Sequence, residues 1–242
     1  MPRYDFVLFD ADNTLFDFDR SEHEALRLTL EAHHIPFTPQ TEACYLEINR
    51  GLWAQFDRGE VSQSFLVVAR FAAFLRAMGR TGDPEELNRF YLERLGEQSF
   101  LLPGAEALCR ALAPVCTLAV LTNGVARAQR GRFLRSPLAG LVPYLFISEE
   151  VGAAKPSLSF FRPVFAALGI TQPQRALMVG DNLNTDIQGG RDAGADTAWF
   201  NPRHLPCTAA CRPTWEVDGF PALQALILDG LPPIPAVKNE VS

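Results

Sequence analysis

Lysine is almost missing from this chain: of 22 basic residues in 242, only Lys155 and Lys238 are lysines and the rest are arginines. A lysine inside the folded region therefore stands out, because it offers a compact point charge where arginine offers a planar fork. A basic excess is missing as well, since 28 acidic residues leave a formal net charge of −6. Without a positive field, neither a nucleic acid polymer nor an anionic membrane surface is an expected partner. No apolar run reaches the ~20 residues that a bilayer span requires. The longest uncharged stretches, such as 111–126, contain Pro, Thr, Asn and Gly. Near the start only Phe6 to Phe9 is apolar, between Asp5 and Asp10, which predicts no export leader. Five cysteines, an odd number in a chain too large to need staples, predict a reducing, cytoplasmic setting.

What is present is a globular composition. Hydrophobic residues make up 48% and charged residues 21%, enough to bury a sizeable core and too apolar for wholesale disorder. The length suits one large domain, or a core domain carrying an insertion, in a monomer or small homo-oligomer.

Residues 4–9 form an apolar, β-prone run that stops at the acidic loop Asp10-Ala11-Asp12-Asn13-Thr14, the pattern of a buried strand opening onto a functional loop. From residue 21 to about 96 the pattern is helical. Ser21-x-x-Glu24 and Asp83-Pro84-x-Glu86 read as capping boxes, and Gly79 and Gly96 sit where helices should stop. After Pro103-Gly104, apolar runs at 117–121, 144–148, 176–179 and 197–200 alternate with helical patterns at 126–135, 158–168 and 184–193. That alternation predicts right-handed βαβ crossovers and a doubly wound parallel α/β sheet. The expected division is a core of residues 1–16 and 97–228, an inserted helical cap of 17–96, and a frayed tail of 229–242.

Open α/β sheets bind ligands outside the carboxyl ends of their strands, and the strand ends here share one chemistry. They carry Asp10 and Asp12, then Thr122-Asn123-Gly124, then Lys155-Pro156, then Gly180-Asp181 with Asp186 beyond. Like charges ~4 Å apart at an effective dielectric near 20 repel by about 4 kcal/mol per pair, so Asp10, Asp12, Asp181 and Asp186 call for a cation. An oxygen-only set without His or Cys suits Mg²⁺. Lys155 adds a positive charge able to hold a carboxylate and a phosphate, and Thr122 with the amide of Asn123 adds neutral donors. A carboxylate in that company is an in-line nucleophile for phosphorus, which assigns Asp10 as nucleophile. Asp12, two residues on and on the same side, is assigned as acid and base at the leaving oxygen.

These residues resemble the haloacid dehalogenase superfamily, whose phosphatases carry DxDxT, a later Thr or Ser, a Lys and a paired acidic motif in this order. The resemblance implies a Rossmann-like core, Mg²⁺ as cofactor and a helical cap that closes over the site. It also implies that Asp10 is the nucleophile, Asp12 the acid/base, Thr122 and Lys155 phosphate binders, and Asp181 and Asp186 metal ligands joined by the main-chain carbonyl of Asp12. The segments 9–19, 49–56, 147–156 and 177–190 are similar to those of bacterial housecleaning pyrimidine 5′-nucleotidases. That likeness implies hydrolysis of nucleoside 5′-monophosphates, including non-standard pyrimidine ones. Asn182 departs from the Ser or Thr that many relatives carry there.

Asn49 and Trp53 lie i, i+4 on an expected cap helix, where Trp53 could stack on a base and Asn49 reach a polar edge. The plainer alternative is that Trp53 belongs to the cap core. A phosphatase for sugar phosphates or phosphoglycolate is the rival within the family, and a phosphoacceptor signalling or binding module the rival outside it. His204, Cys207 and Cys211 have loose zinc spacing but lack an evident fourth ligand, so no metal is expected there.

Overall fold

The computed structural model describes residues 2–207 and 211–230. The expected tail therefore lies mostly outside the described residues. The chain divides into two units, one of residues up to Asp17, Leu101–Ala126 and Ser136 onward, the other of Phe18–Phe100 and Arg127–Arg135.

In the first unit β1 (Phe6–Phe9), β2 (Thr117–Thr122), β3 (Tyr144–Ile147), β4 (Ala176–Gly180), β5 (Asp196–Phe200) and β6 (Trp215–Val217) form one sheet in the order β3-β2-β1-β4-β5-β6. Every neighbouring pair is parallel. A parallel sheet is covered on both faces, which is why its central strands are continuous apolar runs. Val7, Leu8 and Phe9 of β1 and all of β4 are buried. In one of the core clusters Leu8, Leu121 and Met178 meet Phe160, Phe161 and Val164 from helix Leu158–Leu168. The registers Phe9↔Val120, Phe9↔Val179 and Thr122↔Ile147 bring the carboxyl ends level. The chain leaves β1 for β2 on one side and later returns to β4 on the other, so the order reverses beside the end of β1, where such sheets bind ligands. β6 was not foreseen; three residues, Trp-Glu-Val, are too short a run to announce a strand.

The second unit contains α1 (Phe18–Ala32), α2 (Pro39–Asp57), α3 (Gln63–Ala77) and α4 (Pro84–Glu97). Tyr45, Phe71, Phe74 and Tyr91 form its aromatic centre, with ring centroids 5.3–6.1 Å apart. The segment Arg127–Arg135 of α6 (Ala126–Arg135) groups with these helices, although its pattern had placed it in the core. The reason is a close backbone approach: a Cβ on Gly131 would sit 2.6 Å from the Gly96 carbonyl oxygen. Gly96 is accordingly a packing position inside α4 and does not end it. Ser21 is likewise no cap, since α1 begins three residues earlier and buries it. The reciprocal capping box lies at Thr38 and Thr41, hidden from the usual pattern because Thr takes the place of Glu or Gln. Asp83 does cap α4, accepting from Glu85 N and Glu86 N, and Gly79 follows α3 with a left-handed φ of +60°.

The remaining helices belong to the first unit: α5 (Ala105–Leu112), α7 (Ser148–Val151), α8 (Leu158–Leu168), α9 (Gln188–Asp192) and α10 (Phe220–Leu228). A π-helical turn, Leu183–Ile187, precedes α9, so the helix expected at 184–193 is present in two pieces. Among the described residues no helix is long and apolar enough to cross a membrane.

Candidate active site

Asp10 continues β1 by one residue, its amide donating to the Val179 carbonyl at 2.8 Å. The chain then turns tightly: Leu15 N and Phe16 N both donate to the Ala11 carbonyl, and Asn13 N donates to the Phe16 carbonyl. Asn13 carries a φ of +57°, a conformation that asparagine tolerates better than most residues. This turn holds Asp12 half-buried just past the strand end, while Asp10 is 8% exposed.

Lys155 reaches the same spot from the loop after β3. Its ammonium donates to Asp10 Oδ1 at 2.6 Å, Asp186 Oδ1 at 2.7 Å and the Leu121 carbonyl at 2.7 Å. Those three bonds use all three of its protons. The Lys155 backbone is fixed in turn by Asn123, whose Nδ2 donates to the Lys155 carbonyl and whose Oδ1 accepts from the Lys155 amide, both at 2.9 Å. The Asn123 side chain thus braces Lys155, while the donor expected at this position is its main-chain amide. Thr122 is buried, and its Oγ1 accepts from Gly124 N at 3.0 Å, which leaves the hydroxyl proton to donate.

The acidic end of β4 completes the cluster. Asp10, Asp181 and Asp186 can each offer one carboxylate oxygen such that all three lie within 4.8 Å of one another. The Asp12 side chain is not in that set. Asp186 stands in the π-helical turn, a distortion common at functional sites. It presses on the end of β4 so closely that a Cβ on Gly180 would fall 2.2 Å from Asp186 Oδ2, so position 180 has no room for a side chain. Asn182 N donates to Asp186 Oδ2 at 3.2 Å, and the Asn182 side chain caps the turn by accepting from Asn184 N and Thr185 N. That capping job is one Ser or Thr could also do. Trp199 Nε1 donates to the Asp181 carbonyl at 2.8 Å and holds this strand end against β5.

The electrostatics follow from burial and crowding. Burial pushes the Asp10 carboxyl well above its ordinary range against the pull of Lys155, and the charges of Asp186, Asp181 and Asp12 push it the same way. Asp181 rises to about 7, by burial first and then by Asp186 and Asp12. Burial works against the Lys155 charge, yet Asp10 and Asp186 hold its ammonium above the ordinary lysine value. With all three carboxylates ionised, the one ammonium would leave two negative charges over in an all-oxygen donor set, which is why the protonated forms are favoured until a cation enters. That excess and those donors fit a hard divalent cation such as Mg²⁺.

The structure thus brings Asp10, Lys155, Asp181 and Asp186 together, with Thr122, Asn123 and Asp12 beside them. Asn49 and Trp53 lie on α2 in the helical unit. Asn49 is buried and both ends of its amide are engaged, while Trp53 is half-buried, edge-on to Phe56 at 5.5 Å. Cys211 packs against Ile187 and Trp199, and His204 joins no metal-binding group among the described residues. The Leu121 carbonyl and the roles of Gly180 and Trp199 went unread, although Gly-Asp at a strand end was a visible signal for the second.

Comparison with known proteins gives a consistent set. A family model described as haloacid dehalogenase-like hydrolase matches residues 4–194. The chain is similar to the pyrimidine 5′-nucleotidase PynA of Streptococcus pneumoniae, with 35% identity over 221 residues covering 90% of this chain and 92% of that one. It is similar to the pyrimidine 5′-nucleotidase YjjG of Escherichia coli, with 32% identity over 225 residues covering 93% and 98%. The magnesium-bound crystal structure of the HAD-hydrolase YfnB from Bacillus subtilis matches with a TM-score of 0.88 at 36% identity, covering 93% of this chain and 98% of that one.

Proposed function

The chain belongs to the haloacid dehalogenase-like hydrolases and is a phosphatase, and from that premise we propose that it hydrolyses nucleoside 5′-monophosphates, pyrimidine ones including non-standard forms, through a phospho-Asp10 intermediate. The observation that carries the reading is the Lys155 ammonium bridging Asp10 and Asp186 inside a three-carboxylate cluster at the switch point of the sheet.

Asp10 Oδ1, held by Lys155, leaves Oδ2 as the attacking oxygen, which displaces the nucleoside oxygen from phosphorus. Asp12 donates a proton to that leaving oxygen and afterwards takes one from the water that cleaves the acyl phosphate. The Thr122 hydroxyl and the main-chain amides that follow donate to the phosphoryl oxygens, and Lys155 offsets their charge. Asp10, Asp181 and Asp186, with the main-chain carbonyl of Asp12, would hold Mg²⁺. When bound, the ion supplies charge neutralisation at the phosphoryl group. The helical unit is assigned substrate choice as a cap, with Asn49 and Trp53 as its candidate contacts. Five free thiols support a reducing, cytoplasmic site of action.

The test is a phosphate-release screen of the purified chain with Mg²⁺ across nucleoside monophosphates, sugar phosphates and phosphoglycolate. The expected result is highest kcat/KM on pyrimidine nucleotides; a clear preference for phosphoglycolate or a sugar phosphate would replace the substrate assignment.

A further inference from the structure

One peptide unit ties the carboxylate cluster to a tryptophan that lies outside it. The carbonyl of Asp181 accepts from Trp199 Nε1 at 2.8 Å, and the amide of the same unit, Asn182 N, donates to Asp186 Oδ2 at 3.2 Å. A peptide is planar and trans, so its C=O and N–H point in opposite directions and turn together. Holding the carbonyl on the indole therefore holds the N–H on the Asp186 carboxylate. With Oδ2 engaged there, Asp186 presents Oδ1 to the Lys155 ammonium at 2.7 Å, and the same ammonium reaches Asp10 Oδ1 at 2.6 Å. A line of hydrogen bonds thus runs from Trp199 through the Asp181–Asn182 peptide and Asp186 to Lys155 and Asp10.

The opposite orientation of that peptide is unfavourable at both of its ends. Turned over, the unit would aim a carbonyl oxygen at the Asp186 carboxylate, and the buried indole N–H would lose its acceptor. Trp199 is itself well placed to enforce the choice. It is 3% exposed, it pairs with Gly180 in the register of β4 and β5, and it shares an apolar cluster with Ile187 and Cys211. Gly180 precedes Asp181 and Ile187 follows Asp186, so the surroundings of this one side chain reach the neighbours of both acidic residues.

We propose that Trp199 is a positioning residue for the metal ligands, holding the Asp181–Asn182 peptide in the orientation that presents Asp181 and Asp186 to one divalent cation. The inference rests on the Mg²⁺ site proposed above and deepens it. Trp215 supplies a control on the adjacent strand β6. Its Nε1 donates to Tyr4 Oη at 2.8 Å, and Tyr4 precedes β1 at the amino end of the sheet, whereas Asp181 follows β4 at the carboxyl end.

The experiment measures the Kd of the full chain for Mg²⁺ from the Mg²⁺ dependence of its melting temperature, in the wild type, Trp199→Phe and Trp215→Phe. Phenylalanine keeps a ring and removes the N–H. Both variants should melt earlier without the ion, so stability alone does not separate a positioning role from a structural one. The Kd does: Trp199→Phe should weaken Mg²⁺ binding by about 10- to 100-fold, as when a group that orients a metal ligand is lost, whereas Trp215→Phe should hold it within about twofold. Should Trp199→Phe not fold, the wild type carries the test through its three indole N–H resonances in a ¹⁵N correlation spectrum. That of Trp199 should shift with added Mg²⁺ until saturation, and that of Trp215 should stay. An unchanged Kd in Trp199→Phe, an equal weakening in Trp215→Phe, or a Trp199 resonance that stays put while the melting temperature responds would overturn the inference and leave the Mg²⁺ site in place. A wild type whose melting temperature and resonances both ignore Mg²⁺ would overturn that site and this inference together.

Discussion

The crevice at the strand ends and the polar chain inside the helical unit both bury charge, but they balance it differently. In the helical unit Glu22 and Arg70 cancel, and the buried Asn49 amide joins them, donating to Glu22 and accepting from Arg70. At the strand ends Lys155 pairs with both Asp10 and Asp186, yet its single charge can offset only one of the three carboxylates of Asp10, Asp181 and Asp186. A balanced buried chain is a device for orienting groups, because its members already satisfy one another. An unbalanced one is a device for binding, because each unmet charge in a poor dielectric is free energy that a ligand of opposite sign recovers. The contrast separates a cluster poised to bind a cation from one that is already satisfied within the protein.

The variants that would break this contrast can be ordered by size. Asp10→Asn should lower kcat by at least about a thousandfold, roughly 4 kcal/mol of barrier, with an unchanged far-ultraviolet circular dichroism spectrum. Phosphate release near the wild-type rate by that variant would remove Asp10 from its role. Asp12→Asn should cost about 10² to 10⁴ on nucleotides, and distinctly less on p-nitrophenyl phosphate, whose leaving group needs little proton help. Equal losses on both esters would argue against proton transfer at Asp12. Mg²⁺ should raise the melting temperature, by the equivalent of about 2.7 kcal/mol at a hundred times its Kd. Asp181→Asn should abolish most of that rise, whereas Arg70→Gln should leave it intact. A loss of the Mg²⁺ effect in the helical variant would dissolve the distinction between the two regions.

Smaller effects sharpen the contrast. Gly180→Ala should destabilise by about 1–3 kcal/mol in thermal melts, since the added Cβ would meet Asp186 Oδ2 at 2.2 Å, and it should also weaken Mg²⁺ binding. Thr38→Ala should cost about 1 kcal/mol by removing one half of the capping box on α2, without changing the Mg²⁺ shift.

The clustering of Asp10, Lys155 and Asp181 was readable in advance because these residues sit directly at or beyond the ends of apolar strands. Asp10, Thr122 and Asp181 each follow or end a run whose burial was plain from composition, and the order of those runs made a common crevice the natural arrangement. What could not be read were relations between side chains distant in sequence. The exchange of hydrogen bonds between Asn123 and Lys155, 32 residues apart, makes the Asn123 side chain a brace for the Lys155 backbone. Gly131 against Gly96 draws most of α6 to the inserted helices, and nothing in the local pattern of either glycine signals that approach. The Arg70–Asn49–Glu22 chain was equally hidden, since nothing in the sequence marks which of the twenty arginines are buried. Local patterns announced elements and strand ends, whereas partnership within a packed interior depended on the fold itself.

Transfer of the phosphoryl group to Asp10 is tested by mass spectrometry of the rapidly quenched Asp12→Asn variant after mixing with Mg²⁺ and a phosphate ester of good leaving group. A phosphoryl group is expected on the peptide that contains Asp10, formed at the rate of the first turnover. Release of phosphate in that first turnover with no phosphoryl group on any peptide, or with one on a residue other than Asp10, would contradict it.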